Sequence, residues 1–127
     1  MAKAAKVKQL IFSLSNRVGL LADVTSALAS AKINIEAICA YERVYGYFMM
    51  VTDNNAKAKK VLLKMGADVH VEEVIMVEVP NRAGQLEKIS RIVADADIDI
   101  HFVSTSVGKG KTANLILKTA TDRKSLT

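Results

Sequence analysis

From Val7 to Leu14 apolar side chains alternate with polar ones, the period of two that buries one face of a β-strand. A polar break holding Asn16 and Gly19 follows, and then Leu21, Val24 and Leu28 recur at spacings of three and four, which sets them along one face of a helix. Strand-forming residues return from Ile33 to Tyr41, with Ile33 and Ile35 pointing the same way. Tyr45-Gly46 predicts the turn of a hairpin that comes back through Tyr47 to Val51. Asp53 and Asn54 mark the start of a second helix over Ala56 to Met65, Gly66 closes it, and Asp68 to Val71 makes a last strand. The order is βαββαβ, an α+β unit.

The pattern then starts again. Asn16-Arg-Val-Gly-Leu-Leu21 returns as Asn81-Arg-Ala-Gly-Gln-Leu86, displaced by 65 residues, and at the same displacement Ala29, Ala31, Ile33 and Ile35 fall on Ala94, Ala96, Ile98 and Ile100. Ahead of the motif, Leu10, Phe12 and Leu14 fall on Ile75, Val77 and Val79, so both first strands share one alternation. In the second copy Val74 to Val79 is the first strand, Leu86, Ile89 and Val93 the helix face, Ile98 to Val107 the second strand, and Gly108-Lys-Gly110 the turn into Ala113 to Leu117. Thr121-Asp122 has the form of a second helix start, but the sequence stops at Thr127. The expected division is a first unit over residues 1–73 and a second, C-terminally short, over 74–127. Glu72 and Glu73 join them with no Gly or Ser linker, which predicts rigid packing, and Pro80 ends a strand where a missing N–H is tolerated.

Composition narrows the function. Half of the 127 residues are hydrophobic, yet the wholly apolar stretches are far shorter than the roughly 20 residues of a membrane span. With no secretory signal before the first strand, a soluble cytoplasmic chain is expected. Cys39 is the only cysteine, which excludes an internal disulfide and leaves it a small buried hydrophobe. No Cys/His cluster has ligand spacing, so neither metal nor cofactor is expected. The net charge of +5 raises nucleic acid as a partner, but Lys57, Lys59, Lys60 and Lys64 have no interleaved aromatic to stack on bases and read as a solvated helix face. Catalysis has little to work with: His70 and His101 lie in strands away from any nucleophile, no G-x-S-x-G elbow surrounds a serine, and Gly108-Lys-Gly110-Lys-Thr lacks the first glycine of a phosphate loop.

What remains is the twice-used turn between strand and helix. A helix N-terminus offers free N–H groups and a positive dipole end, and Gly19 or Gly84 has no side chain to keep a carboxylate away from them. Asn16 or Asn81 adds an amide beside that point. The bland alternative, that Asn caps the helix and Gly relieves a turn, accounts for the same residues.

These turns, followed by the Ile-Asn-Ile and Ile-Asp-Ile segments, resemble the ACT domain family over about Lys6 to Thr119. The resemblance implies a ferredoxin-like fold, with antiparallel sheets, helices on one face and domains that pair through their sheets, here as a homo-oligomer such as a dimer. It also implies a non-enzymatic regulatory role in which an amino acid binds where the turn of one domain faces its neighbour. Carried onto this chain, the turn positions are Asn16, Arg17, Val18, Gly19 and Leu20, with Asn81, Arg82, Ala83, Gly84 and Gln85. A polar residue early in the second strand often meets the ligand amine in the family, and Asn34 and Asp99 hold that place. The carboxylate of Asp99 predicts the tighter of two unequal sites. Val18 and Ala83 stand where many members have proline, and Leu14 and Val79 where serine-sensing relatives carry a polar group.

Two other functions fit parts of the chain. One is a regulatory subunit that acts on a partner biosynthetic enzyme. The other is RNA binding, since Arg43-Val-Tyr-Gly-Tyr-Phe-Met-Met50 echoes the third strand of an RNA-recognition motif, though Val44 replaces its glycine and the second copy has no aromatic there.

Overall fold

The computed structural model describes residues 3–107 and 111–119. Its elements are β1 (Lys3–Ser15), α1 (Leu20–Ser30), β2 (Ile35–Arg43), β3 (Tyr45–Thr52), α2 (Asn55–Lys64), β4 (Asp68–Pro80), α3 (Gln85–Asp95), β5 (Ile100–Val107) and β6 (Thr112–Thr119). The chain divides into two compact units, Lys8–Glu72 and Glu73–Thr127 together with Met1–Val7. Each is ferredoxin-like in its strand order, β2-β3-β1-β4 in the first and β5-β6-β4-β1 in the second.

Two strands are longer than their alternation predicts. β4 does not pause at Glu72 and Glu73 but runs on to Pro80, so the last strand of one copy and the first of the next are a single element. β1 begins at Lys3 rather than Val7, and its first residues join the second unit, where they stand beside β4 at the edge a fourth strand would take. Lys6 lies 3.5 Å from Glu73 in that unit. Backbone groups of an edge strand need partners more than they need apolar side chains, which is why the basic, alanine-rich stretch gave no strand signal. The predicted turn at Gly108–Gly110 and the helix start at Thr121 lie outside the described residues.

In the first unit the core lies between one sheet face and both helices: Leu10, Phe12, Phe48 and Met50 from the sheet meet Leu20, Val24 and Leu28 of α1 and Ala58 and Leu62 of α2. Phe12 and Phe48 stack with ring centroids 4.7 Å apart. In the second unit Ile75, Val77, Val79, Leu115 and Leu117 pack against Ile89 of α3. Leu21 and Leu86, assigned by spacing to the helix core faces, are instead about half exposed, and Leu20 takes the inner place in α1. The first turn of that helix lies over the end of the sheet, where only one of two adjacent leucines has strand beneath it. Cys39 is partly buried, paired with Met49 on the face the helices leave open. The lysines of α2 are mostly exposed, as a solvated face requires.

The helix ends follow their local chemistry. Asn54 caps α2, its side chain accepting from the Lys57 N–H at 3.1 Å. Gly66 closes it in the left-handed region at φ +90. Replacing Asn54 by alanine is expected to lower stability by about 1 kcal/mol, read as a drop in urea midpoint at unchanged slope. An unmoved midpoint would mean that the neighbouring pair, Thr52 Oγ1 donating to Asn55 Oδ1 at 2.6 Å, holds the helix start alone.

The β2–β3 hairpin corrects the sequence more sharply. Tyr45-Gly46 is not the turn, because Arg43 pairs directly with Tyr45 and the chain reverses at Val44, with φ +70. Gly46 lies within β3 opposite Leu14, and a Cβ there would come 2.5 Å from Leu20 Cδ2. The glycine serves the close approach of a helix to a strand, not a turn.

Candidate functional site

After β1, residues 16–19 carry the chain into α1. Gly19 is the N-cap at φ +88, and no side chain caps the helix. Asn16 is therefore not the cap; the Leu20 N–H donates to the Arg17 carbonyl at 3.2 Å, and the Leu21 and Ala22 N–H groups of the first turn of α1 keep their capacity to donate. Gly84 repeats the geometry at φ +89 ahead of α3, again without a side-chain cap. A Cβ on either glycine would meet nothing within 4 Å, so backbone conformation rather than space requires glycine at both.

Beside the first turn lies an open cleft of about 330 Å³. Asn16, Arg17, Gly19, Leu21 and Ala22 form one wall, and Ala40, Tyr41 and Glu42 from the end of β2 form the other. Leu20, Gly46 and Phe48, all buried, make its base. Arg17 Nη1 meets Asp23 Oδ2 at 2.5 Å, with both side chains about half exposed. An ion pair so exposed contributes at most about 1 kcal/mol, so a ligand carboxylate in the cleft can compete for the guanidinium. Glu42 Oε2 accepts from the Val44 N–H at 3.1 Å. Val18 is fully exposed and does not line the cleft.

The cleft gathers Asn16, Arg17, Gly19 and Leu20 from the motif, and adds Tyr41, Glu42, Gly46 and Phe48, which the motif does not contain. Only strand order could have found these four. The arrangement β2-β3-β1 brings the tip of one hairpin beside the end of β1, and nothing local in sequence says so.

Asn34 is not brought to its own turn. It precedes β2, and its backbone N–H donates to Asp53 Oδ1 at 3.0 Å. An 11-residue α1 carries the chain roughly 16 Å along the sheet, so the start of β2 lies at the far end from residues 16–19. Asp99 stands in the same relation to residues 81–84, its carboxylate 3.8 Å from His101 Nε2 with both side chains largely exposed. Either residue can meet a turn only from outside its own unit. His70 is also exposed, 3.3 Å from Asp68.

The second turn differs from the first. Asn81 N–H donates to the Lys111 carbonyl at 2.7 Å and Arg82 N–H to that of Pro80 at 3.0 Å. Ala83 is exposed, and Gln85 opens α3 partly buried. Strand register places Ala113 where the first unit has Gly46, because Val79 pairs with Ala113 as Leu14 pairs with Gly46. It likewise places Val107 where the first unit has Glu42. By register the second unit thus has an alanine and a valine at the positions that Gly46 and Glu42 hold in the first.

Both units carry a sheet with helices on one face and a glycine turn, without a side-chain cap, ahead of the first helix. A family model for the ACT domain pair matches residues 5–126. The chain belongs to the ACT domain pair family; ACT domains are regulatory rather than catalytic, and this supports a small-molecule-binding regulatory role.

Among solved structures, a Bacteroides thetaiotaomicron protein is similar with TM-score 0.87 and 27% identity, over 97% of this chain and 85% of that one. The ligand-free regulatory subunit of aspartate kinase from Thermus thermophilus is similar with TM-score 0.71 and 15% identity, over 98% and 91%. The corresponding Thermus flavus subunit gives 0.66 and 18%, over 98% and 92%. At these identities the two kinase subunits show the shared fold. No curated protein matches the sequence. No helix among the described residues is long and apolar enough to cross a membrane.

Proposed function

We propose that this chain is a cytoplasmic sensor that binds a free amino acid at its strand-to-helix turns and passes the signal on through association with another protein. One observation carries it: the uncapped start of α1, with Gly19 in the left-handed region, opens onto a cleft that also holds Asn16 and Arg17. These groups offer a carboxylate backbone donors, a dipole end and a cation together. The turn at Asn81, Arg82, Ala83, Gly84 and Gln85 is the second, weaker position. Asn34 and Asp99 serve turns contributed by a neighbouring domain, which makes a homo-oligomer the working form. A partner enzyme is the other receiver of the signal, in keeping with the fold shared with aspartate kinase regulatory subunits. In either case the ligand acts through its differential affinity for the associated and free states.

A thermal-shift screen against the twenty amino acids tests this. A ligand at a hundred times its Kd adds about 2.7 kcal/mol to the native state, so a true ligand raises the Tm by several degrees. Gly19→Val, which sets a branched side chain in the path to the helix N-terminus, is expected to abolish that rise. No shift with any amino acid at millimolar concentration refutes the sensor.

A further inference from the structure

We propose that Glu42 is the ammonium acceptor of the first-unit cleft and that this cleft selects a zwitterionic α-amino acid with an apolar side chain. The proposal rests on the amino-acid reading above and names the class of ligand that this one cleft takes.

The lining holds only two charged groups, Arg17 on the turn and Glu42 on β2, and they are of opposite sign and on opposite walls. That is the charge pattern of an α-amino acid, whose carboxylate and ammonium need one partner of each kind. Glu42 is held for the task. Its Oε2 takes the Val44 N–H at 3.1 Å, while Oε1 accepts from no described residue. The hairpin tip that supplies this N–H is unusual, since Val44 is β-branched yet sits at φ +70, in a region such residues rarely occupy. The reversal at a single residue keeps Glu42 and Gly46 directly paired at the mouth of the cleft.

The rest of the lining sets the side chain. Beneath the charged pair lie Leu20 and Phe48, 6% and 3% exposed, with Gly46 between them. A second charge on the ligand would face this apolar base without a partner, at a desolvation penalty that an aliphatic or aromatic group avoids. Acidic and basic amino acids are therefore selected against. In the second unit the register sets Val107, which carries no carboxylate, in the place of Glu42.

The test is calorimetric titration of the full chain with alanine, valine, leucine, isoleucine, methionine, phenylalanine, aspartate and lysine, each also as its N-acetyl derivative. We expect an apolar amino acid to bind most tightly and its N-acetyl form, which has lost the ammonium, about tenfold or more weakly. Glu42→Gln keeps an oxygen for the Val44 N–H and should leave the melt of the free protein unchanged. It should weaken the free amino acid by about tenfold while leaving the N-acetyl form as it was. Unchanged affinity in Glu42→Gln, or tightest binding by aspartate or lysine, overturns the proposal while the sensor function stands. No binding by any of these eight overturns the proposal as well, and no shift with any of the twenty amino acids in the thermal screen overturns both it and the sensor function. Arg17→Gln is the companion variant: it should weaken the free and the N-acetyl forms alike, because both keep the carboxylate.

Discussion

Replacing Phe12 by alanine is expected to cost roughly 3–5 kcal/mol of stability, the range for removing a large aromatic from a packed core. Phe12 is 1% exposed and stacks on Phe48 at 4.7 Å with an interplanar angle of 4°. It sits at the centre of the one cluster that joins the sheet to both α1 and α2. The loss combines the lost transfer free energy of a benzyl group, the cavity it leaves, and an aromatic pair worth about 0.5–1.5 kcal/mol beyond area alone. Domains of this size have only about 5–15 kcal/mol in total, so the variant should melt far below the parent. Urea denaturation followed by far-ultraviolet circular dichroism measures it. A loss under about 1.5 kcal/mol would mean that the core collapses around the gap, contrary to close packing. The same result bears on RNA binding: Phe12 and Phe48 are committed to the helix side of the sheet, and the ring pair that does lie on the open face, Tyr41 with Tyr47 at 5.4 Å, has no aromatic partner on β1.

The second large effect separates two kinds of glycine. At Gly46 a Cβ would approach Leu20 Cδ2 to 2.5 Å, so Gly46→Ala must push a buried leucine out of place. Overpacking of this kind costs about 1–3 kcal/mol. At Gly19 a Cβ has free space but the backbone sits at φ +88, so Gly19→Ala costs about 1–2 kcal/mol through conformation alone. The two losses can be similar in size and still be told apart. Trimming the neighbour in Gly46→Ala/Leu20→Ala removes the collision, and the double variant should be more stable than the sum of the singles by about 1 kcal/mol or more. Leu20→Ala should give Gly19→Ala no such relief. Additive losses in both pairs would show that Gly46 is not there to admit Leu20. Leu20 and Gly46 also form the base of the cleft, so the rescued variant should bind a different size of side chain from the parent.

By itself the sequence determined what local chemistry controls. The displacement of 65 residues, the alternation of Leu10, Phe12 and Leu14, the Asn54 cap and the Gly66 stop each depend on a few neighbouring residues, and each is present in the fold. The two glycine turns were legible for the same reason, because a left-handed residue ahead of a helix is a local demand. Tertiary structure decided the rest. Gly46 looked like a turn residue until Leu20 was packed above it, and Leu21 looked like core until the end of the sheet lay beneath its neighbour. Lys3 to Lys6 gave no strand signal because their place beside β4 is fixed by backbone pairing, to which side-chain periodicity is blind. Glu42 and Tyr41 carry no motif at all; they belong to the cleft because the order β2-β3-β1 sets a hairpin tip next to a turn more than twenty residues earlier in the chain. Contacts between residues far apart in sequence form only when the whole sheet closes, and that closure, rather than any local pattern, placed a carboxylate opposite an arginine.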